Sequence, residues 1–221
     1  EVGKNVLLGG VTGISPVEVV ILGAHTAGEF AARAVLGFGA EVKLFDSCMK
    51  RLSAVQQVLS QRLFTSNYHE KALRKALLSA DVVIGAISLE SHDQYMVVED
   101  MVQSMKCGAV IVDLCMNQGG CFETSRPTTF ENATFVKHNV VHYCVPNLTS
   151  KAARTASIAL SNILLPMVQD VLTCGTFYAF LKQNLHARRG VYMYNGIITH
   201  EGVAREHGLT SKSIDLLLAA F

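Results

Sequence analysis

VVILGAHTAGEFAARAVLGFGAEVKLFD, from Val19 to Asp46, is the stretch on which the fold turns. It opens with a short apolar run, passes through a Gly-rich turn from Gly23 to Gly28, and continues with helical periodicity. A second strand-like run then ends on an acidic residue. That order is the first βαβ unit of a dinucleotide-binding sheet. Gly23 allows the tight turn, Gly28 lets helix and strand pack closely, and the helix N-terminus is placed to face a pyrophosphate. Asp46 lies at about the spacing expected of a carboxylate that grips an adenosine ribose. The middle glycine of the fingerprint, where the backbone approaches the phosphates, is His25 here.

The surrounding pattern agrees with that unit. Strands are expected at Val17–Leu22, Glu41–Phe45, Arg62–Thr65, Val82–Ile87, Ala109–Leu114 and Val140–Val145. Helices are expected at Gly28–Leu36, Lys50–Gln61, Glu70–Ala80 and Val97–Met105. Alternation of this kind implies parallel pairing through right-handed crossovers. The expected architecture is an α/β, doubly wound parallel sheet of the Rossmann type, with about six strands in the order 3-2-1-4-5-6. The loop from Cys115 to Thr134 is aperiodic and long, and it follows the carboxyl end of a strand, where ligands bind in such sheets. After Asn147 the pattern turns helical. Ser150 is placed to cap a long helix reaching about Thr173, with shorter helices at Thr176–Asn184, Gly202–His207 and Ser211–Ala220. The expected division is a nucleotide-binding domain over residues 1–150 and a helical return segment over 151–221.

Composition narrows the function classes. The 221 residues are 50% hydrophobic and carry a net charge of +1, which gives no electrostatic case for nucleic acid or an anionic membrane. No uncharged run reaches the roughly 18 residues that span a bilayer, and Ile158–Leu172 reads as a buried helix interrupted by Ser161, Asn162, Pro166 and Asp170. Six cysteines are scattered without a C-x-x-C pair, so structural thiols in a reducing cytoplasm are expected rather than a metal or redox site. Glu1 opens the chain without an initiator Met, directly before a strand, which suggests a piece of something longer.

Several residues invite chemistry, each with a plainer alternative. Asp46 would accept two ribose hydrogen bonds and repel a 2′-phosphate, favouring NAD, while Lys50 and Arg51 beside it could accommodate that phosphate. The alternative is a helix-capping carboxylate. Gly85-Ala86-Ile87-Ser88 ends the fourth strand opposite the first turn, as a ribose-lining backbone or a simple strand end. In Asn117–Pro127, paired glycines allow close approach to a ligand, and Arg126 could bind a phosphate or only a surface carboxylate. Glu123 is a candidate acid or base that a solvated loop position explains equally well. His25, His142 and His200 stand alone and read as structural, because a catalytic histidine needs a positioned partner. Nothing resembles a nucleophile elbow, a Walker loop or a metal cluster.

Taken together, LLGGVTGISPVEVVILGA (Leu7–Ala24), GAEVKLFD (Gly39–Asp46), DVVIGA (Asp81–Ala86), IVDLCMNQGGCFETSRPTTF (Ile111–Phe130) and HYCVPNLTSKAARTASIALSN (His142–Asn162) resemble the alanine dehydrogenase and pyridine-nucleotide transhydrogenase family. The match runs over nearly the whole chain, and the QGGCFETSRPTT loop favours the dehydrogenase branch. The resemblance implies a cytoplasmic, homo-oligomeric oxidoreductase that uses NAD to interconvert L-alanine with pyruvate and ammonia, with no nucleic-acid, membrane or metal partner. It places Thr26 and Ala27, flanked by Gly23, His25 and Gly28, at the pyrophosphate and Asp46 on the ribose with Arg51 beside it. It lines the cofactor with Ile87, Ser88, Leu114, Cys115, Met116, Asn117, Arg126, Val145, Pro146, Asn147 and Leu148. The family's catalytic aspartate falls on Asn117, which cannot take up a proton. The half that carries the family's substrate-binding Arg and Lys and its catalytic His would precede Glu1, so the chain alone is expected to be inactive. Rival readings are a non-catalytic NAD-binding homologue, a transhydrogenase subunit, and a nucleoside-binding methyltransferase, which would not account for the second half.

Overall fold

The structure is a computed structural model that describes residues 3–88 and 95–219. Two compact units divide the chain, residues 1–148 and 149–221.

The first unit alternates strand and helix: β1 (Glu18–Leu22), α1 (Thr26–Gly37), β2 (Glu41–Phe45), α2 (Met49–Leu59), β3 (Phe64–Ser66), α3 (Glu70–Ser79), β4 (Val82–Gly85), α4 (Glu99–Gln103) and β5 (Val110–Asp113). An edge hairpin follows, β6 (Thr134–Lys137) and β7 (Val140–Tyr143). The sheet order is β3-β2-β1-β4-β5-β7-β6, parallel except for the final antiparallel β6–β7 pair. This is a doubly wound sheet whose order reverses between β1 and β4. The expected six strands are all present, and the seventh corrects the reading of 115–134 and beyond as loop leading into one last strand. β6 is a short alternating run, and His138 and Asn139 both take positive φ (54° and 60°), the two-residue hairpin geometry that matches strand twist. Asn is at home there; His is not a usual hairpin residue, so the turn gave a weak signal.

Parallel strands are covered on both faces, which is why β1 reads as an unbroken apolar run. Val19 and Ile21 join Val42, Leu44 and Ile84 against Ala32 of α1 and Leu52 and Val55 of α2. Val20 and Leu22 join Phe45, Val83 and Ile111 against Leu73 and Leu77 of α3 and Met101 and Val102 of α4. Each such side chain contributes about 1.5–3 kcal/mol relative to leaving it exposed. At the opposite end of the sheet from the carboxyl ends of β1 and β4, Asp81 is paired with Lys4 of the opening segment (2.6 Å) and with Lys106 of the turn between α4 and β5 (2.9 Å).

The second unit contains α5 (Ala153–Cys174), α6 (Phe177–Gln183), α7 (Leu185–Arg189), a small hairpin β8 (Met193–Tyr194) and β9 (Ile197–Ile198), α8 (Glu201–Glu206) and α9 (Ile214–Ala219). Its core is Phe180, Leu181 and Leu218, with Met167, Val171 and Cys174 packed on it. Two expectations are corrected here. Ser150 does not cap α5: the chain enters through a 3₁₀ turn, Leu148–Ala152, and Ala152 takes the cap position. The turn's own i→i+3 bonding occupies the backbone that the hydroxyl would have served. Nor is α5 buried: none of its residues is, and Ile158, Ile163, Leu164, Leu165, Val168 and Leu172 are all more than half exposed. Within Leu148–Cys174 an 18-residue window has mean hydropathy 1.4, so the helix is long and apolar enough to cross a membrane by length and composition. Ser161, Asn162, Pro166 and Asp170, which mark it off from a continuous apolar run, leave it apolar on average.

Candidate functional site

The crevice at the carboxyl ends of β1 and β4 gathers most of the expected residues. Gly23 adopts φ +104°, and a β-carbon on it would overlap the carbonyl oxygen of Ala86. A β-carbon on Gly28 would overlap the carbonyl oxygen of Gly23, so helix α1 can lie this close to the turn only with glycine there. His25 occupies the N-cap of α1 in extended geometry, makes no side-chain capping bond, and is half-buried. Thr26 and Ala27 form the exposed first turn, whose amides have no acceptor within the helix.

Asp46, at the end of β2, is 1% exposed and heavily engaged. Oδ2 accepts the amide of Ala24 at 2.7 Å and Oδ1 that of Cys48 at 2.7 Å. Arg51 reaches back from α2 with Nη2 2.7 Å from Oδ1 and Nε 3.0 and 3.1 Å from the two oxygens. Burial alone would raise the carboxyl pKa; the Arg51 guanidinium and the two amides outweigh it and hold Asp46 below the usual carboxylate range. Asp46 thus ties down the entry to α2, and its carboxylate lies at the carboxyl end of the sheet. At the same helix start, backbone amides of Arg51 and Lys50 lower the Cys48 thiol pKa.

Two residues beyond β3, Tyr68 carries the one buried side-chain N or O atom without a hydrogen-bond partner among the described residues, its hydroxyl oxygen. Burial, reinforced by Asp46 and the nearby thiols, pushes its pKa well up, so it remains a proton donor. Periodicity gave no reason to single it out.

The far wall comes from β4, β5 and β7. Ile87 is half-buried and Ser88 exposed, while Asn117 is exposed just after Met116, in a 3₁₀ turn over Met116–Gln118. The amide of Asn147 donates to Asn117 Oδ1 at 3.2 Å, joining the loop after β5 to the loop after β7. Leu114 is half-buried, Val145 buried, and Pro146 and Leu148 partly exposed along the same strand ends. Arg126 lies elsewhere than a simple surface salt bridge. Its guanidinium sits 4.4 Å from the Phe135 ring, and Phe135 stacks on buried His142 at 4.8 Å. His142 Nδ1 lies 3.0 Å from the Val140 carbonyl and so carries the proton there, leaving Nε2 to accept from Thr124 Oγ1 at 2.8 Å. His142 is structural, as its isolation in sequence implied, and burial lowers its pKa. His200 caps α8 through Nδ1. Glu123 Oε2 accepts the amide of Glu99 at 2.6 Å at the start of α4.

The thiols are less scattered than their spacing implied. Asp113, Cys115 and Cys121 converge, all buried, with one ligand atom of each within 4.8 Å of the others.

The family profile described as "Alanine dehydrogenase/PNT, C-terminal domain" matches residues 1–201. The alanine dehydrogenase of Staphylococcus haemolyticus is 40% identical over 215 residues, covering 96% of this chain and 57% of that protein. That of Halomonas elongata is 38% identical over 208 residues, covering 94% and 56%. A solved structure of an L-alanine dehydrogenase superposes with a TM-score of 0.84 at 33% identity, covering 93% of this chain and 57% of its own. The chain therefore spans a little over half the length of the relatives it matches.

Proposed function

The chain belongs to the alanine dehydrogenase/PNT C-terminal domain family, and on that premise we propose that it binds NAD across the carboxyl edge of β1 and β4. Within a full-length protein it would serve an oxidoreductase that interconverts L-alanine with pyruvate and ammonia. The observation that carries this reading is the pairing of the Gly23–Gly28 turn, packed so tightly against backbone that neither glycine has room for a β-carbon, with Asp46, a carboxylate at the end of the next strand that accepts the amide of Ala24. The residues fit a dinucleotide. First-turn amides of α1 at Thr26 and Ala27 suit a pyrophosphate, Asp46 suits ribose hydroxyls, and the unpaired Tyr68 hydroxyl supports a polar occupant nearby.

Bound there, the nicotinamide supplies the acceptor or donor of a hydride. The chain's own part is to orient it and to handle charge around the substrate nitrogen. Asn117 can hydrogen-bond in that region but carries neither charge nor a proton to exchange. Arg51, already forked onto Asp46, neutralises the carboxylate without reaching free into the crevice, which supports NAD over its 2′-phosphorylated form. A homo-oligomeric, cytoplasmic enzyme with a small-molecule substrate is the reading that the family and the near-neutral charge favour, and the exposed apolar residues of α5 suit a covering protein surface. On the same reading residues 149–221 pack against the other half of a full-length chain.

Calorimetric titration of NAD into this chain and into Asp46→Asn tests the cofactor assignment. Binding weakened at least tenfold in the variant is expected; equal binding, or none in either, overturns it. A second reading, a non-catalytic NAD-binding homologue, is favoured by His25 and Asn117 standing where the family has glycine and aspartate. Alanine oxidation by a full-length protein separates the two.

A further inference from the structure

We propose that Asp113, Cys115 and Cys121 form a binding site for a thiophilic divalent cation of the zinc class. The site does not depend on the proposed nucleotide contacts of Asp46 and α1, although Cys115 and Ile87 are among the residues that the family resemblance sets along the cofactor. It is built by the turn that follows β5. Asp113 Oδ1 accepts the amide of Cys115 at 2.9 Å, while Oδ2 accepts the amide of Cys121 at 3.1 Å and the hydroxyl of Ser125 at 2.7 Å. Gly119 and Gly120, at φ 97° and 83°, turn the chain back so that Cys121 returns to the strand end it left. Backbone bonds thus hold both cysteines against one carboxylate. Cys115 is 3% exposed and Cys121 and Asp113 are fully buried, so solvent does not compete for the ligand atoms.

The donor set and its spacing suit such a cation. Two sulfurs and one oxygen match zinc and cadmium rather than magnesium or calcium. With metal–sulfur bonds of about 2.3 Å, tetrahedral ligand atoms stand about 3.8 Å apart. The three atoms here lie within 4.8 Å of one another, so a small contraction closes the site. A disulfide would instead need the sulfurs at about 2.05 Å, a larger demand on a packed core.

The existing hydrogen bonds lead towards coordination. Cys121 Sγ donates to Asp113 Oδ1 at 3.7 Å, and Cys115 Sγ donates to the Ile87 carbonyl at 3.3 Å. When the cation binds, each thiol releases its proton to solvent and each sulfur forms a metal bond. Asp113 Oδ1 gives up the S–H donor and turns that lone pair to the cation, and the Ile87 carbonyl, 3.3 Å from Cys115 Sγ, is a candidate fourth ligand. The balance is one dication bound, two protons released, and no change of oxidation state. Occupancy would clamp the end of β5 to the base of the loop that carries Asn117.

The test uses the chain with Cys48, Cys107 and Cys174 changed to serine, which leaves Cys115, Cys121 and Cys144 as its thiols. Cadmium is titrated in, following sulfur-to-cadmium absorption in the ultraviolet and calorimetry in buffers of different ionisation heat. The expected result is one cadmium per chain, two protons released, and an affinity at least tenfold lower in both Cys121→Ala and Cys115→Ala. Cys115→Ser keeps the side-chain volume and repeats the comparison should an alanine variant fail to fold by circular dichroism. Uptake that survives loss of either cysteine, no stoichiometric uptake, or a Cys115–Cys121 disulfide formed in its place overturns the site.

Discussion

The backbone amide of Asn147 donates to the side-chain oxygen of Asn117 across 3.2 Å, thirty positions apart in sequence. The bond turns Asn117 Oδ1 towards the loop after β7 and leaves Nδ2 as the group directed away from it. A carboxylate at the same position would keep the Asn147 bond and add a charge and an exchangeable proton. We expect Asn117→Asp in a full-length protein to raise alanine oxidation by about 10²–10⁴-fold, the usual worth of general acid–base assistance. Steady-state kinetics check this. Ordinary turnover in the unmodified protein, about 1–10³ per second, would show that proton handling rests on another group.

His25 stands at the N-cap of α1 without a capping bond. On the proposed NAD reading, a side chain stands beside the first-turn amides where a glycine would carry none, and a pyrophosphate bound there would sit further out and forgo part of their hydrogen bonding. Each charge-assisted bond regained is worth about 1.5–3 kcal/mol, so His25→Gly is expected to tighten NAD binding roughly tenfold or more. Isothermal calorimetry on this chain measures it. Equal affinity would mean that the ring swings clear.

Tyr68 predicts a stability gain from removing an atom. Its buried hydroxyl has no partner, so folding strips it of water without return. Tyr68→Phe removes that penalty and is expected to stabilise the nucleotide-free chain by about 1 kcal/mol, visible as a higher midpoint in urea unfolding. A loss of stability would mean that the hydroxyl is satisfied in solution.

Asp81 predicts the acid limb of stability. Burial would raise its pKa, but Lys4, Lys106 and the amide of Glu18 hold it at about 2. A folded pKa below the unfolded value means that the stabilising contribution is fully present above about pH 4 and is lost as pH falls towards 2. The shift corresponds to about 1–2 kcal/mol after allowance for the partly exposed lysines. Asp81→Asn should remove that part of the pH dependence between pH 2 and 4 in urea unfolding; an unchanged slope would mean that the Lys4 and Lys106 pairs contribute nothing.

Much of the fold could be read from local pattern. The apolar run of β1, the glycines at 23 and 28 and the acidic end of β2 fall within 28 consecutive residues, and each constrains the backbone next to it. β6 escaped because a four-residue edge strand with a His-Asn turn differs little from loop. The exposure of α5 escaped for another reason: an apolar helix announces that it needs cover, and its sequence does not say which surface provides it.

The sequence by itself determined the alternation of β1 to β5 with α1 to α4, the nucleotide-type turn and the candidates Asp46 and Asn117, because hydrophobic period and glycine freedom act over a few residues. Only the tertiary structure decided that Arg51 forks onto Asp46, that Arg126 meets Phe135 and Phe135 stacks on His142 while Thr124 bonds to His142 Nε2, and that Asp113 meets two cysteines. Those meetings depend on how strand ends align across a sheet and where turns return the chain. Buried carboxylates, imidazoles and thiols then take whichever partners packing has brought within about 3 Å, since leaving them unpaired costs about 1–3 kcal/mol each.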